Sequence, residues 1–439
     1  MSDFQQQALH LAGQQDSPEW LADVRKSGAQ QWLHAPWPTR KTELWKYTPL
    51  APLQKSEFGR WADESAGKAA DWQQTFEWLE LDATRLVFVN GVFAPEASDE
   101  LPPELVRFGD ANADQKKVIE QHLGQIVDSK RHLFAALSNA WASEDGVLLH
   151  VPRNGELKKP VYVVHVSTPT ETPATANQRL LVVLESGAQA SVIEHFVSTE
   201  DTQNGFVNSL AEVEVGDNAH FYHYRINLEE ENLLHVGGTH VNLQRAAQFR
   251  GFTIAQGSPL KRIDYQINHC GEGAHLDLQG VYLPRNKQLV DYHTNVEHKV
   301  PHGTSKEIFR GIIGDSAKAV FNGRIHIHPK AQKTLAELSN KNLLTSAKAE
   351  VDTKPELEIY ADDVKCAHGA TVSQLNREAM FYLQSRGISR AEAQVMLNFG
   401  FINELLKDVA EPAVREYLGP RLAQLFSPNS ELLKHISYE

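Results

Sequence analysis

The spacing of hydrophobic residues divides the 439-residue chain into three regions. In residues 1–145, apolar residues recur at three- and four-residue intervals, which predicts helices over Gln5–Leu11, Ser17–Ala29 and Lys116–Trp141. One segment departs from this pattern, because the pair Asn90-Gly91 stands between two apolar runs and is typical of a β-hairpin with a type I′ turn. We therefore predict a mostly helical N-terminal domain with a small β-hairpin.

The second region, residues 146–372, carries short β-type runs such as Val161–Val166 and Leu180–Leu184. No helical stretch of ten or more residues separates these runs, whereas the parallel sheets of α/β proteins need such crossovers. A doubly wound fold and a TIM barrel are therefore disfavoured, and an all-β core is expected.

A weak repeat runs through this β region. A glycine followed three residues later by an alanine precedes an alternating run at four places, which are Gly187–Ala190, Gly216–Ala219, Gly271–Ala274 and Gly314–Ala317. The intervals between them lie near multiples of about 14 residues. A solenoid of stacked strand–turn units explains this spacing, since glycine lets the chain turn and alanine fits a tight corner. A conventional β-sandwich is the alternative.

The third region, residues 373–439, is predicted to form a helical C-terminal domain. Leu375–Ser385 has helical spacing, Ser389-Arg-Ala-Glu392 is a capping box that opens a second helix, and Pro412 is expected at the start of a third. The second helix carries an apolar stripe that consists of Val395, Met396, Phe399, Ile402, Leu405 and Leu406. This stripe either packs on its own domain or docks a partner.

Composition narrows the classes of partner and compartment. The net charge of −13 and the lack of a basic tract disfavour nucleic acid as a partner. Two cysteines, Cys270 and Cys366, cannot form a disulfide framework, which favours a reducing compartment. The first residues lack signal-peptide features, and no apolar run approaches the roughly 18 residues of a spanning helix. We therefore expect a cytoplasmic protein that does not bind membranes.

Several catalytic motifs do not occur in the sequence. There is no phosphate-binding P-loop, so the chain is not expected to hydrolyse ATP by itself. Gly271-Glu-Gly273 begins like a dinucleotide fingerprint, but Leu276 stands where the third glycine is needed. Neither a G-x-S-x-G elbow nor an H-E-x-x-H pair is present. The common hydrolase sites are thereby disfavoured.

His326 and His328 form a candidate metal pair. On a strand, both imidazoles leave the same face about 6.6 Å apart. A cupin-like metalloenzyme would use such a pair, but the carboxylate expected a few residues later is missing, and Glu337 is too far along the chain. We therefore favour hydrogen-bonded or solvent-facing sheet histidines.

Cys366 and His368 form a second candidate pair. If the segment is extended, both side chains project together while Ala367 turns away. A thiolate and an imidazole suit iron or zinc, but an iron–sulfur cluster usually needs four protein ligands, so a second chain would have to supply the rest. A buried, inert cysteine beside a structural histidine is the alternative. Cys270, in a turn-like context, is interpreted as a bystander thiol.

Four stretches of the chain resemble the SufD family of iron–sulfur cluster assembly subunits. They are Pro38–Thr48, Asn340–Leu344, Lys354–Thr371 and Arg386–Ala393, and they are spread over nearly the whole chain. The resemblance implies a mainly β protein, with a right-handed parallel β-helix core flanked by α-helical N-terminal and C-terminal domains. That expectation agrees with the solenoid that the glycine–alanine repeat predicts.

The resemblance also implies a function and partners. A member of this family is expected to be a non-enzymatic scaffold subunit that contacts SufB through the β-helix, docks the ATPase SufC through the C-terminal helices and forms a homodimer when alone. His368 and Cys366 match the residues that would contribute to a transient iron–sulfur cluster shared with SufB, and His368 is the stronger candidate ligand. No cofactor is expected on the isolated chain. A cytosolic β-helix enzyme acting on carbohydrate is the remaining alternative.

Overall fold

The computed structural model describes residues 3–55, 57–60, 76, 78–170, 172–199, 204–229 and 232–426. Helices occupy both ends of this described part. They are α1 (Asp3–Gly13), α2 (Ala22–His34), α3 (Ala51–Gln54), α4 (Ala113–His122), α5 (Leu133–Ala140), α6 (Arg377–Ser385), α7 (Arg390–Lys407) and α8 (Pro412–Phe426). None of these described helices is both long and apolar enough to cross a membrane.

The strands of the N-terminal part are short, and those of the centre are long. The strands are β1 (Gly59–Arg60), β2 (Thr84–Val89), β3 (Val92–Phe93), β4 (Leu105–Arg107), β5 (Val147–Val151), β6 (Val161–Ser167), β7 (Ala174–Leu184), β8 (Gln189–Ser198), β9 (Asn204–Val215), β10 (His220–Asn227), β11 (Asn232–Leu243), β12 (Gln248–Gln256), β13 (Lys261–His269), β14 (His275–Leu283), β15 (Leu289–His298), β16 (Thr304–Ile313), β17 (Lys318–Ile327), β18 (Leu335–Leu344), β19 (Glu350–Ile359) and β20 (Lys365–Gln374).

Successive strands alternate between two sheets. Sheet A has the order β19-β17-β15-β13-β11-β9-β7-β5-β4, and sheet B has the order β20-β18-β16-β14-β12-β10-β8-β6-β2-β3. Among β5–β20, paired strands are parallel and lie one coil apart, and each coil holds roughly 30 residues. The result is a β-solenoid of about 7 turns. The mainly β class and the parallel β-helix with flanking helices are confirmed, and the β-sandwich alternative is wrong.

The core lies between the two sheets, where side chains of equivalent positions stack from coil to coil. One such column in sheet A consists of Val182, Val213, Val241, Ile267, Val296 and Ile325, all buried. Because alternate residues of a strand face opposite sides, half of each strand fills the core and half faces outward. Position in the coil therefore decides which side chains meet.

The corners of the coil confirm the predicted role of alanine. Ala219, Ala274 and Ala317 are almost completely buried at the ends of turns. The first repeat is offset, however, because Ala188 and not Ala190 occupies the equivalent corner: the Ala188 N–H donates to Glu185 O just as that of Ala219 donates to Gly216 O. The repeat is real, and its register in the first unit was wrong by two residues.

The N-terminal part differs from the sequence prediction in one helix. The predicted helix Lys116–Trp141 is divided into α4 and α5. The backbone N–H groups of Gly124, Ile126 and Val127 donate to the carboxylate of Glu212, which also pairs with Arg179. Because this buried carboxylate takes the N–H groups that a continuous helix would use internally, tertiary contacts override helical periodicity.

The predicted hairpin is confirmed. Phe88 pairs with Phe93 in antiparallel fashion, and both Asn90 and Gly91 have positive φ. Its first strand also pairs with β6, and β4 pairs with β5, so this segment extends both sheets. The division of the chain into three domains stays a prediction.

The C-terminal helices begin where the sequence predicts. Both hydrogen bonds of the Ser389–Glu392 capping box are present, and Pro412 is the first residue of α8. Val395, Phe399, Ile402, Leu405 and Leu406 are buried in a cluster that includes Ile312 and Leu343 of sheet B. Met396 is half-buried. The interpretation of this stripe as a partner-docking face is therefore wrong, since its residues pack on their own chain; residues 427–439 lie outside the described part.

Candidate functional site at the end of the β-helix

Cys366 and His368 lie on β20, the last strand of sheet B. In register, Cys366 lies beside Ala336 and His368 beside Leu338, and both of these neighbours belong to the buried core. Alternate residues share one face, so the two candidate ligands stand together on the inward side of the strand. The predicted orientation of the pair is confirmed, while its role as a ligand set stays a prediction.

The pair is accessible because the coil ends there. No described strand lies beyond β20 in sheet B or beyond β19 in sheet A. His368 is exposed, and Cys366 is half-buried against the core. Side chains that would be enclosed one coil earlier are therefore open to a second molecule.

Burial also affects the chemistry of the thiol. It raises the pKa of Cys366, and a hydrogen bond with the Ala336 backbone offsets part of that rise. The thiolate is the form that binds metals, so iron binding at Cys366 releases a proton. His368 has no such requirement in its neutral form, since an imidazole nitrogen binds iron directly.

Apolar side chains are exposed around this end of the solenoid. Phe381 and Tyr382 on α6 are 72% and 55% exposed, and further exposed apolar residues on or beside the last coil are Leu335, Ile359, Tyr360 and Val372. Unpaired strand edges with apolar neighbours are typical of surfaces that pair with another chain. The last coil and α6 thus form a candidate interaction surface.

A second group of metal-binding side chains lies on the outward face of sheet A. Glu297 of β15 is beside His326 of β17 in register, and His328 follows two residues later. His326 Nδ1 and His328 Nε2 lie 2.8 Å and 2.7 Å from the same carboxylate oxygen, Oε2 of Glu297. Both histidines are therefore within hydrogen-bond distance of a carboxylate, and whether they also bind a metal stays open at this point.

Sequence reasoning missed Glu297 as the carboxylate of this group. Only carboxylates that follow His328 were considered, and the nearest one, Glu337, lies on β18 of the other sheet. The repeat could have identified Glu297, because residues one coil apart in the chain lie side by side on neighbouring strands. Burial favours the neutral form of Glu297, but hydrogen bonds from His328, Arg324 and Asn295 outweigh it and lower the pKa of the carboxyl to about 2. Burial lowers the pKa of His326.

Charged side chains are also enclosed in the middle coils of the solenoid. His223 lies 2.8 Å from the Glu194 carboxylate, which Arg225 also approaches, and Lys261 donates to Glu229 at 2.8 Å. All of these side chains are buried. Each buried charge has a partner, which is the condition under which ionised groups are tolerated inside proteins. This network was not predicted, since no local motif marks it.

Cys270 lies between β13 and β14, in the turn that the sequence indicated. It is partly buried, and burial raises the pKa of its thiol. Both cysteines are free thiols, in agreement with a chain that uses no disulfide. Its interpretation as a bystander stays a prediction.

Comparison with known proteins gives a consistent result along the chain. Residues 3–163 match the family described as SufBD protein N-terminal region, and residues 165–401 match the SufBD core domain of the SUF system for FeS cluster assembly. The chain is 33% identical to the iron–sulfur cluster assembly protein SufD of Escherichia coli, over 90% of each protein. It is 32% identical to an iron–sulfur cluster assembly SufBD family protein of Synechocystis, over 92% of this chain and 90% of that protein.

A more distant relative agrees, because SufD of Bacillus subtilis is 28% identical over 91% of this chain and 93% of its own. The comparisons do not favour the carbohydrate-active or cupin-like enzyme alternatives. Both parts of the chain, the helical N-terminal part and the solenoid, match the same family. The chain therefore belongs to the SufBD family of iron–sulfur cluster assembly proteins.

Proposed function

We propose that this chain is a non-catalytic scaffold subunit of a SufB–SufC–SufD complex in the cytoplasm, and that His368 and Cys366 supply part of a nascent iron–sulfur cluster site shared with SufB. The observation that carries the proposal is their position on the inward side of β20, where the solenoid ends. Two side chains do not complete a cluster site. A second chain at this end can supply the missing ligands.

The donor chemistry supports a transient cluster. His368 is exposed and offers an imidazole, while the half-buried Cys366 must lose a proton before it binds iron. A site divided between two chains holds its cluster less firmly than four cysteines of one chain, since separation of the chains removes ligands. Such a cluster is suited to transfer, and the isolated chain holds none.

We assign the partner surfaces to the strand edges and the exposed apolar side chains at the β20 end of the solenoid. A second β-helix can add its edge strands to β19 and β20 through main-chain hydrogen bonds, as in other cases of strand addition. We propose that SufB uses this edge and that two copies of this chain use it when SufB is absent. For SufC we propose α6, because Phe381 and Tyr382 are exposed there while the stripe on α7 packs on its own chain.

The test is cluster formation by the assembled complex. The chain is co-expressed with SufB and SufC, and the purified complex is reconstituted anaerobically with iron and sulfide. We expect His368→Ala to reduce cluster-bound iron by about tenfold or more while the three subunits still co-purify. His10→Ala, which removes an exposed histidine on α1, is the matched control. Native cluster content in the His368→Ala complex would overturn the ligand role.

A Cys366→Ser variant separates the two candidate ligands. If Cys366 is a ligand, this variant loses cluster in the same way as His368→Ala. If Cys366 only packs on the core, cluster content stays native and the thermal stability of the chain falls slightly, because a partly buried sulfur is replaced by a hydroxyl.

A further inference from the structure

We propose that Glu297, His326 and His328 form a binding site for a divalent first-row transition metal ion, separate from Cys366 and His368. The three ligand atoms all lie within 4.8 Å of one another. Two histidines and one carboxylate are a donor set that proteins use for iron and zinc. The proposal rests on this geometry alone, and it does not depend on the cluster role of Cys366 and His368.

The solenoid itself creates the site. Alternation along β17 puts His326 on the face opposite the buried Ile325 and Ile327, and His328 reaches the same carboxylate from just beyond the strand. Parallel pairing then brings Glu297 beside His326 from the previous coil. All three residues lie on a paired strand or next to one, so their positions are fixed by backbone hydrogen bonds rather than by a flexible loop.

The distances between the ligand atoms need only a small adjustment. His326 Nδ1 and His328 Nε2 lie 2.8 Å and 2.7 Å from Glu297 Oε2. Ligands about 2.1 Å from one ion and at right angles to each other are about 3 Å apart. The two rings are stacked with centroids 4.2 Å apart, and each nitrogen must move away from Glu297 Oε2 by less than about 1 Å to admit a tetrahedral ion. The proton of each neutral ring then resides on its other nitrogen.

Surrounding side chains hold the carboxylate in the required orientation. Arg324 Nη1 donates to Glu297 Oε1 at 2.6 Å, and Asn295 donates to the same oxygen at 3.1 Å. Arg324 in turn donates to both carboxylate oxygens of Glu358, at 2.7 Å and 2.9 Å. Oε1 is therefore engaged, and Oε2 is the oxygen presented to the imidazoles. Such outer hydrogen bonds are the usual support of a metal site.

Charge and access are also suitable for a cation. The two carboxylates, Glu297 and Glu358, exceed the single guanidinium of Arg324 by one negative charge. The side chains of Glu297, His326 and His328 are 12%, 18% and 34% exposed, so the site opens to solvent on the His328 side. With three protein ligands, the remaining positions of the ion are left to water. Three protein ligands with open positions are the arrangement of catalytic zinc sites, whereas structural sites have four.

The experiment is an anaerobic titration of the full chain with Co²⁺, followed by competition with Fe²⁺ and Zn²⁺. Cobalt reports its ligands by colour: nitrogen and oxygen donors give visible ligand-field bands, whereas a thiolate adds an intense charge-transfer band in the near ultraviolet. We expect one equivalent of Co²⁺ without the thiolate band. The chain with Cys366→Ser should bind it equally well.

Two variants and one control decide the outcome. His328→Asn, the most exposed ligand, and Glu297→Gln should each weaken Co²⁺ binding by about tenfold or more. His302→Asn is the matched control, because His302 also lies beside a glutamate, Glu272, and among the described residues the two belong to no group of three metal-binding side chains. Circular dichroism verifies that each variant is folded. Absence of stoichiometric binding, binding that survives in His328→Asn, or loss of binding in Cys366→Ser would each overturn the proposal.

Discussion

His368 lies directly beside Leu338 across the last strand pair of sheet B, so an exposed histidine continues a column of core side chains. The preceding members of that column are Glu307 and Leu278, both buried. The polar members Glu307 and His223 of this column are buried between coils, whereas His368 is exposed because no described strand lies beyond β20.

The exposed edge predicts a measurable association of the isolated chain. Replacing Val372 on β20 by lysine should weaken self-association by about tenfold or more, because a charge on an edge strand must lose its hydration when the edge is covered. Light scattering after size-exclusion chromatography measures the dimer fraction over a concentration series. Leu33→Lys, an equivalent change of an exposed leucine on α2, is the control and should leave the dimer fraction unchanged. Equal dimer fractions for both variants would show that the edge is not the interface.

Glu307 predicts a pH dependence of stability. It is completely buried on the inward face of β16, and burial raises its pKa to about 7, although the Thr294 hydroxyl partly offsets the rise. The folded state therefore binds this proton more tightly than the unfolded state, whose carboxyl has a pKa near 4.5. The penalty for ionising Glu307 is absent below about pH 4.5, increases up to about pH 7 and is constant above it.

Glu307→Gln removes this penalty. At pH 8 the variant should be more stable than the native chain by on the order of 3 kcal/mol, and at pH 5 the difference should shrink towards zero. Urea unfolding at the two pH values measures both free energies. Glu337→Gln, on the exposed face of the neighbouring strand β18, should retain the pH dependence of the native chain. A difference between native and Glu307→Gln chains that does not change with pH would contradict the assignment.

Glu212 predicts a large loss of stability. Its buried carboxylate accepts three backbone N–H groups of the loop between α4 and α5 and pairs with Arg179. Glu212→Ala leaves these donors and a buried guanidinium without a partner, which should lower the free energy of unfolding by about 3–5 kcal/mol. Asp217→Ala breaks the partly exposed pair with Arg245 and should cost less than about 1 kcal/mol. Chemical denaturation compares them, and similar costs for the two would refute the role of Glu212.

In the C-terminal helices, we expect buried residues of α7 to affect stability and exposed residues of α6 to affect SufC binding. Ile402→Ala on α7 removes a fully buried side chain and should lower the free energy of unfolding by about 2–4 kcal/mol. Phe381→Ser on α6 should leave the melting temperature nearly unchanged and weaken capture of SufC. Thermal melts and co-purification with SufC test the two effects. Unimpaired SufC binding by Phe381→Ser would place the docking surface elsewhere.

Part of the solenoid could be predicted from the sequence, because its strands and corners depend on residues that are close together in the chain. Alternation of apolar residues marks strands, and small residues such as Ala219 and Ala274 mark the corners. The one-residue separation of Cys366 and His368 placed both on one face for the same reason. The start of α7 at Ser389 was predicted as well, since a capping box depends only on neighbouring residues.

Other features depended on contacts between distant parts of the chain. The split of the predicted helix Lys116–Trp141 follows from the carboxylate of Glu212, which no periodicity within that segment reveals. The stripe on α7 has the same pattern whether it meets its own sheet or a partner, so only the fold could show that it packs beside Ile312.

The amino-acid sequence by itself determined the strand periodicity, the corner residues, the family motifs and the pairing of Cys366 with His368 on one side of a strand. Only the tertiary structure decided that Glu297 joins His326 and His328, and that Cys366 and His368 stand where the coil ends. The physical reason is that each coil returns the chain beside itself after roughly 30 residues, so side chains meet by their position in the coil and not by their distance along the chain.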